Sequence, residues 1–148
     1  MPGIRVKVED ERARAVMAGI ANRINNAGPF MALTATQMHR DIIQSYNREQ
    51  GPTGRWKAWT PNYAKRRGPG KILVGPKGGG QMRGSIRFAN GRNYAEVGIF
   101  DGPALDYAGA HQYGNPKGHL PKRTFIWLSQ RFWSWFRPAF RRWVTEGV

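Results

Sequence analysis

The stretch TFIWLSQRFWSWFRPAFRRWVTEGV, residues 124–148, carries the strongest constraint on the fold. Read as a helix, it places Leu128, Phe132, Trp135, Phe136, Ala139, Phe140 and Trp143 on one stripe, with Arg131, Arg137, Arg141 and Arg142 mainly elsewhere. A stripe of that size must be laid against a second layer, whether of this chain or of a neighbour. Pro138 falls inside it and is expected to kink or split the helix, because proline removes a backbone donor and crowds the preceding turn.

Two further helices precede it. DERARAVMAGIANRINNAG places Ala13, Val16, Met17, Ile20 and Ile24 at helical spacing, with Asp10 as its cap and Glu11 near its positive end. Asn25, Asn26 and Gly28 read as its stop. In PFMALTATQMHRDIIQSYNREQG, Pro29 suits a first helical position, and Met31, Ala35, Met38, Ile42 and Tyr46 make one stripe. His39 lies beside that stripe without a second histidine four residues away, so it reads as a surface or hydrogen-bonded side chain rather than a ligand. Ahead of both, GIRVKVE alternates Ile4, Val6 and Val8 with Arg5, Lys7 and Glu9, the pattern of a half-buried strand.

Residues 50–84 differ in character. They are rich in glycine, proline and basic residues, with Trp56, Trp59 and Tyr63 spaced through them, and they exceed the usual length of a connection. TPNYAKRR fits one helical turn, with Thr60 as cap and Pro61 at the first position. GPKGGG, residues 75–80, is the most flexible composition in the chain. A hairpin follows: SIRFA and NYAEVGIF flank Asn90-Gly91, a strong turn dipeptide, and Ile86 and Phe88 share one face. ALDYAGAHQY reads as a short helix ended by Gly114, and NPKGHLP as a loop or short edge strand. No internal repeat is present.

Composition enters where partners are concerned. The chain has 148 residues, enough for one domain spanning 1–148, and a formal net charge of +15. Such a charge calls for a polyanion or an acidic protein surface. The Lys65-Arg66-Arg67 run, with Lys57, Lys71, Lys77 and Arg83 nearby, has the chemistry to neutralise phosphates, and the interleaved aromatics the chemistry to stack bases. Trp56, Trp59 and Tyr63 equally fit a long loop anchored onto a core or a neighbour, and this reading is preferred because no nucleic-acid motif accompanies the charge. The chain contains no cysteine, which excludes disulfide and thiolate chemistry and fits a reducing cytoplasm. No apolar leader segment is visible, and no stretch approaches the ~18 apolar residues of a membrane span.

LDYAGAHQYG and HLPKRTF bring Asp106, His111 and His119 into one neighbourhood, with Glu96 and Asp101 upstream. Asp106 and His111 are not at a same-face helical spacing. No zinc-protease, nucleophile-elbow or phosphate-loop motif occurs, and few acids are available for a nuclease metal site. The expectation is therefore no enzyme, no metal and no cofactor. Tyr107 and His111 stack four residues apart, Ala108 and Ala110 permit close packing, and His111 and Gln112 are short polar groups suited to tie a helix end to neighbouring backbone.

The ordered set of signals resembles the phage virion morphogenesis, or tail-completion, family of tailed bacteriophages. The matching pieces are GRWKAWTPNYAKRR, with Gly54 and Trp59 as counterparts of the family's G-x-x-W element, then Ile72-Leu73, then GQMRGSI. In the last piece Gly80, Arg83 and Ser85 match, and Met82 stands where the family has leucine. After the EVGIF strand come Tyr107, Ala108, His111, Gln112 and Gly114, and finally Pro121, Arg123 and Phe125. The resemblance covers about residues 50–128 and implies assembly without catalysis. Members act at the head-proximal end of the tail or in the neck, as rings that cap the tail tube and face the head connector.

The expectation is thus an α+β domain of helices on a small, mostly antiparallel sheet, with an extended loop at 50–84 and an aromatic C-terminal helix. By the resemblance it is a structural virion protein, assembled in the host cytoplasm as a homo-oligomer, with six copies as first choice. Its partners would be tail tube, head connector and packaged DNA, without a membrane. Trp56, Tyr63, Trp133, Trp135 and Trp143 are the interface candidates; Lys65, Arg66, Arg67, Lys71 and Lys77 are the contacts for DNA or an acidic partner. The rival reading is a monomeric basic DNA- or RNA-binding module.

Overall fold

The structure, a computed structural model, describes residues 10–74 and 81–148. The expected strand at 3–9 and the glycine-rich stretch at 75–80, with Lys77 and Gly80, lie outside the described residues.

Helix α1 spans Glu11–Asn25. Asp10 caps it as expected: its carboxylate accepts the N–H of Arg12 at 2.8 Å and of Ala13 at 3.3 Å. None of the helix's residues is buried. Its far end is tied to the C-terminus of the chain by Arg23, whose Nε donates to the carbonyl of Val144 at 2.7 Å and whose Nη2 donates to that of Thr145 at 3.1 Å.

Helix α2, Gly28–Asn47, is the spine of the domain. Of its expected stripe, Ala35, Ile42 and Tyr46 are buried, and Met31 and Met38 are half-buried. Its Phe30 receives the aromatic stripe of the last helix, α6 (Gln130–Glu146). The Phe30 ring stacks on Trp143 at 4.9 Å and meets Phe136 and Phe140 at 5.9 and 5.8 Å.

Two points of the C-terminal reading are corrected. The helix begins at Gln130, because residues 124–129 are irregular and Thr124, Phe125, Ile126 and Ser129 spend backbone groups on distant partners. It also runs unbroken through Pro138. Proline's exposed position leaves the inner face intact, and Phe132, Phe136 and Phe140 stack in sequence at 5.6 and 5.8 Å across it. Such ring pairs contribute about 0.5–1.5 kcal/mol each, which offsets part of the lost hydrogen bond.

Among the described residues the sheet content is two separate antiparallel hairpins. Strands β1 (Gln50–Gly51) and β2 (Gly54–Arg55) form the first. A short helix α3, Pro61–Arg67, and a single turn α4, Gln81–Gly84, follow. Strands β3 (Arg87–Asn90) and β4 (Ala95–Gly98) form the second, which packs on α2. Here the turn differs from the expected Asn90-Gly91 reversal. Asn90 is paired with Ala95, and the Gly91 N–H donates to the Tyr94 carbonyl at 2.9 Å, so the chain reverses at Arg92 and Asn93. At Gly91 an added Cβ would press on the half-exposed Tyr94 ring, which would have to move aside. Phe88 also departs from its expected company with buried Ile86. It is 45% exposed, tilted against His39 at 5.1 Å.

Helix α5 spans Leu105–Tyr113. The core joins α2, α4, α5 and the irregular 124–129 segment through Ile42, Tyr46, Trp56, Met82, Ile86, Ala104, Ala108 and Phe125. The result is α+β, with an aromatic C-terminal helix.

Candidate functional site

Positions far apart in sequence meet where α5, the extended segment after it and the loop after β2 come together. Gln112, at the end of α5, turns its carboxamide onto that segment. Its Oε1 accepts the N–H of Phe125 and of Ile126, each at 3.0 Å, and its Nε2 donates to the Ile126 carbonyl at 3.0 Å. An amide side chain thereby replaces a β-partner for a stretch that has none. The His111 carbonyl accepts the Arg123 N–H at 2.8 Å, and Thr124 Oγ1 donates to the Gln112 carbonyl at 3.3 Å. Phe125 is thereby fixed in the core at 1% exposure.

Arg123 is buried at 5% exposure. Its guanidinium ties the other side of the site, Nε donating to the Lys57 carbonyl at 2.9 Å and Nη2 to that of Ala58 at 3.4 Å. Burial pulls Arg123 below the usual arginine range, with nearby Tyr63 pushing the other way. Burial likewise holds the His111 imidazole below the ordinary histidine range, and the Arg123 charge adds to this. Trp56 Nε1 donates to the Thr124 carbonyl at 2.9 Å, while its ring meets Tyr46 edge-on at 5.1 Å. Trp56 is therefore a core residue, 7% exposed, which corrects its placing among the interface candidates.

The Ile72-Leu73 pair is anchored from below. The Glu49 carboxylate accepts the Ile72 N–H at 2.6 Å, and the Tyr46 hydroxyl donates to the Leu73 carbonyl at 2.7 Å. Leu73 sits at φ +59, a left-handed conformation that costs a non-glycine residue about 1–2 kcal/mol and that these two bonds hold in place. Burial drives the Tyr46 phenol well above its usual range, so it stays a donor. Two of the matched glycines also have structural reasons: Gly54 has φ +118, and Gly114 has φ +83 with the Lys122 backbone nitrogen 3.1 Å from any added Cβ.

The basic run divides. Lys65 and Arg66 are exposed on α3. Arg67 folds back with its guanidinium 4.5 Å from the Trp59 ring centre, and it donates to the Val74 carbonyl. Lys71 donates to the Asn47 carbonyl at 3.0 Å and Arg83 to the Asn47 side chain at 2.7 Å. Tyr63 is 44% exposed and meets Trp59 edge-on at 5.8 Å. Trp133 is 38% exposed; Trp135 and Trp143 are half-buried. Ala108 and Met82 lie in the core, Ser85 and Pro121 are half-buried, and Asp106, Glu96, Asp101 and His119 are exposed. His39 is paired, its Nε2 lying 3.2 Å from the Ile86 carbonyl.

Sequence reasoning missed Asp41, which is 4% exposed on α2. Its carboxylate accepts the Ser129 N–H at 2.7 Å and hydroxyl at 2.6 Å, and it pairs with Arg131 at 2.7 Å. It thereby fixes the start of α6. The available signal was an acid placed next to Ile42 in an apolar stripe.

Around these ties lies a cleft of ≈ 970 Å³, walled by Trp59, Tyr63 and Tyr107 and rimmed by Lys57, Arg66, Arg67, His119 and Arg123. Among the described residues, no group of three or more histidine, aspartate or glutamate side chains is placed to hold a metal. Here the chain's invested chemistry is the fastening of loops. The chain belongs to the phage virion morphogenesis family, whose model matches residues 8–132. No curated protein and no solved structure matches it. Among the described residues, no helix is long and apolar enough to cross a membrane.

Proposed function

We infer that the protein completes the tail or neck and joins head to tail, as a homo-oligomeric ring at the head-proximal end of the tail tube, without catalysis. Six copies is the first choice. The family supports a structural role in the virion. The observation that carries self-assembly is α1. It is fifteen residues long with none buried, and Val16, Met17 and Ile24 are 57%, 68% and 51% exposed. A patterned apolar face left this open on one chain suits burial against another subunit. The net charge of +15 suits an acidic connector surface or DNA passing through a ring.

Light scattering on the purified protein, followed by negative-stain imaging alone and with isolated tails, tests this reading. Closed rings, free or on tail ends, are expected. Purified virions that lack the protein by mass spectrometry would falsify it. The rival DNA- or RNA-binding module would instead give a monomer with tight, steeply salt-dependent duplex binding.

A further inference from the structure

The cleft between α3, α5 and the segment before Phe125 is larger than loop fastening requires. Its charge is one-sided: Lys57, Arg66, Arg67 and Arg123 line it, and among the described residues no aspartate or glutamate does. Two polar atoms of its lining residues, Arg67 Nη1 and His111 Nδ1, are buried without a partner among the described residues. Buried polar atoms are nearly always paired in a finished structure, so these two leave hydrogen-bonding capacity unused in residues that line the cleft. Trp59, Tyr63 and Tyr107 add apolar walls beside those cations.

We propose that this cleft is a docking site for a short extended peptide segment of a partner protein, one that inserts a carboxylate between Arg67 and Arg66 and lays an apolar side chain along Tyr63 and Tyr107. Charge complementarity selects the acid, and guanidinium groups suit carboxylates. The volume suits a few residues of extended chain. Nucleic acid fits less well. Phosphates of a duplex lie on a convex cylinder, which a concave cleft does not meet. Trp59 already carries the Arg67 guanidinium over one face and Tyr63 at its edge, which uses up much of a base-stacking platform. This site is independent of ring formation, since all of its walls come from one chain.

The test is fluorescence anisotropy on the full chain with a short labelled peptide of alternating glutamate and phenylalanine. Its glutamine counterpart and an oligothymidine serve as comparison probes. The acidic peptide is expected to bind, and Arg66→Glu and Arg67→Gln each to weaken it by about tenfold or more. Arg137→Glu, an exposed charge reversal on α6 away from the cleft, is expected to leave it within about twofold. Circular dichroism of each variant reports whether the fold is kept, and Arg66, exposed on α3, is the variant least able to disturb it. Equal binding of the glutamine peptide, equal weakening by Arg137→Glu, or tighter binding of oligothymidine that displaces the peptide would each overturn the proposal.

Discussion

Gln112 and Ile126 form a closed two-bond ring: the carboxamide oxygen accepts the Ile126 N–H and the amide nitrogen donates to the Ile126 carbonyl, both at 3.0 Å. The same oxygen also holds the Phe125 N–H at 3.0 Å. One side chain therefore satisfies three backbone groups of a segment that has no strand partner. Gln112→Ala is expected to cost about 2–4 kcal/mol by urea denaturation, since it leaves partly buried groups unpaired. Gln112→Glu keeps the acceptor but sets a carboxylate against the Ile126 carbonyl, and should fall between wild type and alanine. A loss under about 0.5 kcal/mol for Gln112→Ala would show that water replaces these bonds.

Asp41→Ala removes the carboxylate that holds both the Ser129 cap and Arg131. Arg131 is largely solvated, so most of the effect comes from the two Ser129 bonds. A loss of about 2–3 kcal/mol is expected by thermal unfolding. The first turn of α6 should lose amide-exchange protection ahead of the rest of the helix. Uniform loss along α6 would contradict the assigned role.

Trp56 fills the core and donates one hydrogen bond, so its two contributions are separable. Trp56→Phe removes the bond to Thr124 and a little volume, for about 1–2 kcal/mol; Trp56→Ala also opens a cavity, for about 3–5 kcal/mol. Denaturant midpoints with intact slopes measure both. Equal losses would mean that the indole N–H carries the whole effect.

His111 gives a pH dependence of definite sign. Its folded-state pKa lies below the ordinary 6.5, burial being the main cause and Arg123 the second. Between the two values the unfolded chain binds more protons than the folded one, so stability rises with pH across that window. The contribution is complete above about pH 6.5 and is lost as pH falls from there through the folded-state value. His111→Gln should flatten the difference between urea midpoints measured at about pH 7.5 and about pH 5.5. An unchanged difference would place the acid sensitivity elsewhere.

Met17→Glu tests the α1 face. Met17 is 68% exposed, so the single chain should change by less than about 0.5 kcal/mol, while an assembled species seen by light scattering should dissociate. Persistence of that species would remove α1 from the subunit contact.

The residues themselves determined where most of the helices lie and the cap of α1. Asp10, Pro29 and the stripes on α2 and α6 act through local spacing and capping, which any reader of the chain can follow. The role of Gln112 as a tie was also legible, because a short amide two residues before a helix-ending glycine has little else to do; His111, read the same way, leaves its Nδ1 without a partner among the described residues. Its partner was not: Phe125 and Ile126 lie thirteen and fourteen residues on, in a stretch that helical spacing alone assigns to α6. Tertiary structure decided that stretch, by spending Thr124, Phe125, Ile126 and Ser129 on bonds to Trp56, Gln112 and Asp41. It also moved the hairpin turn off Asn90-Gly91, where the pairing of Asn90 with Ala95 and the Gly91 bond to the Tyr94 carbonyl outweigh the dipeptide's turn preference. Trp56, an interface candidate by composition, became core because its N–H meets the Thr124 carbonyl sixty-eight residues away. The difference is one of range: caps and stripes are set within a few residues, whereas a buried donor's partner, and so the cleft between Arg67 and His111, is set only when distant segments meet.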